Sequence, residues 1–349
     1  MRDLDRLAGL LGERFPRHRH VYFGLSGATL LYDALRLENR SSLVLPAFLC
    51  PSISAMALAA GKRLTHIDSS RESLCIDASR VEEFLATQSE SDTAVLVDHS
   101  FGYRSGAPAR LRDRFPQSLI IEDCARALGL DACEHSDWVL LSMYKTIRGA
   151  QNGGLLLSRR PLAIGGQKRA STALRERIAQ IPMFRAGYDL VQRFCSIPQP
   201  PAPRLIPRWA PNYGVPGELC VANFTGEIAE WDSRRRARAE IAAEIQNAIP
   251  QCKWLEVLEP AETAAHFVTL RISRGRDPFV ARLWRRGFFL SRTWERLPGD
   301  YPAFHETFPG GQQVAGEWSR MVAHIPVSHF WKAGPRARLI ESIRCMTHS

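Results

Sequence analysis

Short apolar runs alternate with helix-like stretches through the first two-fifths of the chain. Leu43, Val44 and Leu45 form the first run, followed by a helical pattern over Pro51–Ala60 and a strand pattern over Arg63–Ile67 beyond Gly61. Ala94–Val97 and Leu119–Ile121 are apolar runs bounded by polar residues, with a helix expected over Ala109–Arg114 between them. Trp138–Leu141 and Gly154–Leu157 close the series. A strand with one wet face alternates, whereas a strand covered on both faces reads as a continuous apolar run. The pattern therefore predicts an α/β architecture, a mainly parallel sheet covered by helices.

Regular patterning lapses between Ile197 and Pro216, where proline recurs. A long helical pattern follows from about Gly217 to Ile249. Beyond it, His266–Ile272, a helix near Pro278–Arg286, the runs Phe288–Leu290 and Val322–Ile325, and a final helix near Pro335–Met346 read as a smaller α+β unit. The expected division is a large domain over 1–232, opened by an amphipathic helix, and a small C-terminal domain over 233–349.

Hydrophobic residues make up 45% of the 349 positions and charged residues 23%, the balance of a globular chain. No window approaches the roughly 20 apolar residues of a membrane helix. The first residues lack the apolar core of an export signal, so the cytoplasm is the expected location, with no membrane partner. The eight cysteines form no C-x-x-C pair, which argues against a zinc ribbon. The net charge is +10, and all but five of the 46 basic residues are arginine, a bias that suits anionic ligands. The densest run, Ser233–Glu240, reads as the solvated face of a helix, so no nucleic-acid partner is expected.

Three stretches carry candidate chemistry. Glu122 and Asp123 follow a buried run, where ligands bind in open α/β sheets. Taken alone, Asp123 is better explained as a helix cap. Ser142 and Lys145 follow the next run in a Ser-x-x-Lys arrangement, ahead of Gly153 and Gly154. A desolvated lysine near other cations is a nucleophile toward aldehydes, though a solvated loop lysine would fit too. Leu25–Leu31 is a small-residue turn opening a helix, a phosphate site or an ordinary capped helix. In this order the three match what pyridoxal phosphate (PLP) chemistry requires. A carboxylate keeps the ring nitrogen protonated, and an amine holds the aldehyde and moves the proton.

The blocks LSGATLLYDAL, LVLPAFLCPSISAMALAAGKRLTHID, VDHSFGY, IIEDCARALG, LLSMYKTIRGAQNGGLLL, PNYGVPGELCVANF and VAHIPVSHF resemble the DegT/DnrJ/StrS family of sugar aminotransferases, from about Gly24 to the C-terminus. The resemblance implies a fold type I, aspartate-aminotransferase-like PLP-transferase. It implies Lys145 as Schiff-base lysine and general acid/base, and Asp123 facing the pyridine nitrogen. Ala28, Thr29 and Ser142 would hold the phosphate, and Arg126 falls where the family usually has Gln or His beside the cofactor O3′. The ring-stacking position falls at Cys50, so its sulfur or the nearby Phe48 stands in for the usual aromatic. Many members place the lysine five residues after the serine, which here is Ile147; Ser-x-x-Lys favours Lys145. Asn212 matches the asparagine that one subunit lends to its neighbour, implying a homodimer with shared active sites.

The implied activity moves an amino group from a donor, glutamate by family default, to a keto acceptor. A nucleotide-linked keto sugar for polysaccharide or secondary-metabolite synthesis is the implied acceptor. Another PLP reaction on this fold, or a catalytically degenerate binding member, is the alternative. His99, Tyr103, Arg292, Trp294 and His324 are further pocket candidates.

Overall fold

The computed structural model describes residues 2–130, 133–146, 152–164, 211–258, 264–292, 294–329 and 331–347. The proline-rich stretch up to residue 210 and the alternative lysine position at Ile147 lie outside them. The apolar runs are strands, as their uniformity predicts: β2 (Ser42–Pro46), β3 (Arg63–Ile67), β4 (Thr93–Asp98), β5 (Leu119–Asp123), β6 (Trp138–Ser142) and β7 (Gly154–Ser158). Every residue of β4, β5, β6 and β7 is buried. An additional strand, β1 (His20–Gly24), joins them in a seven-stranded sheet of order β1-β7-β6-β5-β4-β2-β3. Pairing is parallel from β6 through β5, β4 and β2 to β3, whereas β7 runs antiparallel to both β6 and β1.

Helices cover both faces, among them α4 (Ala78–Leu85) and α5 (Ala107–Arg114), and β6 runs on into the single turn α6 (Met143–Thr146). On one side α2 (Gly27–Leu37) and α3 (Pro51–Ala59) bury Leu30, Leu31, Leu35 and Met56 against Leu43, Leu45, Leu96 and Ile121. On the other side α1 (Arg2–Arg14) brings Leu7 and Leu11 onto Val139, Leu141, Leu155 and Leu157. Strand side chains alternate between faces, so each inner strand feeds both clusters. The polar His66 is also inside: its ring nitrogens meet Ser54 Oγ at 2.8 Å and Thr307 Oγ1 at 2.6 Å, and it stacks on Phe308 at 4.5 Å. Burial pushes its pKa down to about 3, so it is neutral there.

The helical pattern over Gly217–Ile249 is not one helix. It divides into α7 (Glu218–Ala229) and α8 (Trp231–Ala248) at Glu230, whose φ and ψ are −104° and 24°. The break lets Trp231 bury its ring edge-on to Phe15, with centroids 6.2 Å apart. The arginine run Ser233–Glu240 is likewise only partly a solvated face. Arg238 is 3% exposed and donates to Glu227, which also accepts from Arg234 at 2.6 Å. Two arginines turn inward because Glu227, buried on α7, needs counter-charge.

A three-stranded antiparallel sheet, order β10-β9-β8, is built from β8 (Leu255–Leu258), β9 (Phe267–Ile272) and β10 (Val322–Pro326). It packs with α8, α9 (Arg276–Arg285) and α11 (Ala333–Thr347) around Leu270, Leu283, Ile325 and Ile343. The run Phe288–Leu290 is not a strand. Phe289 is 52% exposed and stacks on Trp284, while the indole N–H of Trp284 donates to the Leu290 carbonyl, using a group that a strand would need. Between β10 and this region, α10 (Gln313–Met321) is clipped to the large sheet by the buried Asp68, which accepts from the backbone N–H of Val314 and Ala315. Among the described residues no helix is long and apolar enough to cross a membrane.

Candidate active site

The carboxyl ends of β2, β4, β5 and β6 open into one cavity of about 410 Å³, the usual position of ligands in open α/β sheets. Ser26, Gly27 and Ala28 enter it from the start of α2, Cys50 and Ser52 from the start of α3, and Asp98 and Asp123 from the ends of β4 and β5. Ser142, Tyr144 and Lys145 enter from the end of β6, joined by Arg126 and Trp294.

Each position has a local cause. Ser26 caps α2, its hydroxyl accepting from the Ala28 N–H at 3.2 Å, which leaves the other first-turn N–H groups toward the cavity mouth. Gly154 makes that approach possible: a Cβ there would lie 2.0 Å from the Gly27 nitrogen. Lys145 stands on the single turn Met143–Thr146, where its backbone N–H donates to Ser142 Oγ at 3.4 Å. That turn is tied down by Met143, whose N–H donates to the Gly153 carbonyl at 3.0 Å, and Gly153 holds a φ of +107° against the Met143 side chain. Asp123 keeps one carboxylate oxygen on the Ala125 N–H at 2.9 Å.

The structure brings together Ala28, Cys50, Asp123, Arg126, Ser142 and Lys145. Two expected residues stand apart from the cavity wall. Thr29 is 1% exposed, and its hydroxyl accepts from the Asn212 backbone N–H at 2.9 Å. Asn212 itself is exposed. Phe48 is fully buried beside Phe101 and cannot replace Cys50 as a ring-stacking partner. Cys50 Sγ lies 2.8 Å from Ser52 Oγ.

Of the further candidates, only Trp294 lines the cavity. Tyr103 donates its hydroxyl to the Leu258 carbonyl at 3.1 Å, and Arg292 pairs with Glu295 at 2.7 Å. His324 is fully buried, stacked on Phe101 at 3.5 Å and bonded to Thr269. His99 turns away from the cavity: its Nε2 meets Glu122 Oε2 at 2.6 Å, and its Nδ1 accepts the Ser105 N–H at 3.1 Å. With Cys124 these two form a compact buried group of metal-ligand types. The Ser105 donation puts the ring hydrogen on Nε2, so that nitrogen has no lone pair for a metal; the group is a hydrogen-bonded anchor beneath β5.

Sequence reasoning missed Asp98, Ser52 and the cap Ser26. Asp98 was legible on the same grounds as Asp123, as an acid ending an apolar run. The two are register partners on adjacent strands, each 8% exposed. Burial, then the Asp123 charge, push the Asp98 carboxyl up to about 7, against the 2.6 Å hydrogen bond from Ser100 and the nearby Lys145.

PLP fits this donor set. Hydroxyls of Ser26, Ser52 and Ser142, the amine of Lys145 and the carboxylate of Asp123 line one cavity, and among the described residues the buried Arg126 Nε and Trp294 Nε1 lack hydrogen-bond partners. A lysine, a carboxylate and a helix start at the carboxyl edge of such a sheet match the fold of type I PLP-dependent aminotransferases. Residues 20–146, which hold Asp123, Ser142 and Lys145, match the DegT/DnrJ/EryC1/StrS aminotransferase family. Solved structures extend the likeness of fold over the whole chain. A DegT DnrJ EryC1 StrS aminotransferase from Brucella abortus is 16% identical with a TM-score of 0.72, covering 99% of this chain and 91% of that one. The ntda protein of Bacillus subtilis, solved with bound cofactor PMP, is 17% identical with a TM-score of 0.70, over 99% and 77% of the two chains. Helicobacter pylori PseC, an aminotransferase involved in the biosynthesis of pseudoaminic acid, is 12% identical with a TM-score of 0.71, over 100% and 91%. No curated protein sequence matches the chain.

Proposed function

We propose that this aminotransferase moves an amino group from glutamate to a nucleotide-linked keto sugar, in the synthesis of a polysaccharide or secondary metabolite, working as a homodimer in the cytoplasm. The observation that carries the reading is the convergence of Lys145, Asp123, Ser142 and the start of α2 on one cavity. The cofactor, when bound, supplies the electron sink that the substrate Cα–H bond needs.

The chain's residues divide the remaining work. Lys145 would hold the cofactor through its amine, and the same amine would move the proton taken from the substrate carbon. Asp123 holds the proton on the pyridine nitrogen, with its other oxygen fixed by Ala125. Ser142, Ser26 and the Gly27 N–H would bind the phosphate at the start of α2, where the helix dipole favours negative charge. Cys50 and Ala125 line the same cavity and would border the cofactor ring. In the same reading, the exposed Asn212 reaches the phosphate site of a second copy. The basic balance of the chain suits an anionic acceptor of this class, and the part of PseC in the biosynthesis of pseudoaminic acid supports a biosynthetic role.

Reconstituted protein should show a visible cofactor absorbance, and borohydride reduction followed by peptide mapping should label Lys145. Glutamate should then convert the unreduced form to the PMP spectrum. Absence of label at Lys145 would overturn the assignment, and a label without any response to glutamate would point to another PLP reaction.

A further inference from the structure

Arg126 lines the cavity alongside Lys145. Among the described residues it makes no hydrogen bond and no ion pair, and its Nε is buried without a partner. Aromatic faces hold it in place of acids: its guanidinium carbon lies 4.7 Å from the Trp294 ring centroid, 4.8 Å from Phe101 and 6.0 Å from Phe267. Such a cage fixes the plane of the fork and leaves its N–H groups for a ligand. Burial pulls its pKa down, and the acid that acts on it most strongly is Asp98, which lines the same cavity and does not hydrogen-bond to it.

We propose that Arg126 reads a carboxylate of the substrate, clamping an α-amino or α-keto acid beside the reacting carbon rather than serving the cofactor ring oxygen. The inference rests on the PLP reading of the cavity but assigns a ligand subsite within it. A phenolate oxygen takes one or two hydrogen bonds from one side. A planar, caged guanidinium with every N–H unused matches a two-oxygen anion. Asp98 supports the same direction. A fixed carboxylate on that wall would neutralise Arg126 without a ligand, but burial beside Asp123 keeps Asp98 largely protonated below about pH 7, so the arginine stays available.

The test compares Arg126→Gln with the parent chain in two formats. Without cofactor, glutarate binding is measured by calorimetry; the parent should bind, and R126Q should weaken binding by about 30-fold, the usual worth of a charge-assisted hydrogen-bonded pair. With PLP loaded, the glutamate-to-benzylamine ratio of single-turnover rates should fall by a similar factor of about 30 in R126Q, while the resting absorbance keeps its position. Glutamine retains a hydrogen-bond donor, so an O3′ role would instead shift the resting spectrum and lower both rates together, leaving the ratio unchanged; that result overturns the proposal. Equal glutarate binding by both proteins overturns it as well. Failure of PLP to bind the parent would sink the cofactor reading alone, because the glutarate comparison does not use the cofactor.

Discussion

Arg238 and Arg126 both lose water on folding, yet one is met by an acid and the other by ring faces. Arg238 crosses from α8 to Glu227 on α7, and Arg234 completes a three-membered ionic group. Arg126 stands among Trp294, Phe101 and Phe267 and reaches no acid by hydrogen bond. A buried charge without its partner costs several kcal/mol, so a fold that leaves one unpaired is not using it for stability. The helix pair holds the molecule together, while the caged arginine waits on a ligand.

Substitutions in the two regions should therefore separate activity from stability. Lys145→Ala carries the largest expected effect: transamination drops by about 1,000-fold or more, and borohydride labelling disappears. Its unfolding midpoint should stay close to that of the parent, since Lys145 is half-exposed; a large fall would place Lys145 with the fold rather than the ligand. Glu227→Gln should show the reverse, losing about 3 kcal/mol in denaturant titration by stranding Arg238. The Arg126→Gln protein, free of ligand, should lie within about 1 kcal/mol of the parent or above it, because it removes a desolvated charge. Comparable losses for both would erase the distinction.

Asp98 should show itself through pH. Its folded pKa, about 7, lies above the unfolded value near 3.8, so the folded state binds the extra proton. Stability should decline as pH rises from about 4 through 7, by roughly 2–4 kcal/mol. Asp98→Asn should flatten that decline; an unchanged profile would mean that Asp98 ionises freely. The smallest effect belongs to Asp232→Ala, which breaks the exposed ion pair with Arg14 at 2.6 Å and should leave the unfolding midpoint indistinguishable from the parent's.

The strands of the large sheet were legible because both of their faces are covered, leaving continuous apolar runs. The edge strand β1 was not, since four of its five residues are only half-buried. The bend at Glu230 escaped notice because helical periodicity continues on both sides of it, and the inward turn of Arg238 depends on an acid one helix earlier. Phe288–Leu290 misled as an apolar triplet whose backbone is used by Trp284. That Asp123, Ser142 and Lys145 line the cavity was readable from their positions after buried runs, whereas the burial of Thr29 off the cavity wall, where its hydroxyl accepts from the Asn212 N–H, depends on a segment far along the chain.

Local order along the chain determined which segments become buried strands and which carboxylate and amine end them, since hydrophobic patterning and turn chemistry act over a few residues. Tertiary structure alone decided that Asp98 lies in register with Asp123 and that Trp294 closes over Arg126. Strand register and the meeting of distant segments depend on packing across the whole core, and so do the shifted proton of Asp98 and the unpaired charge of Arg126.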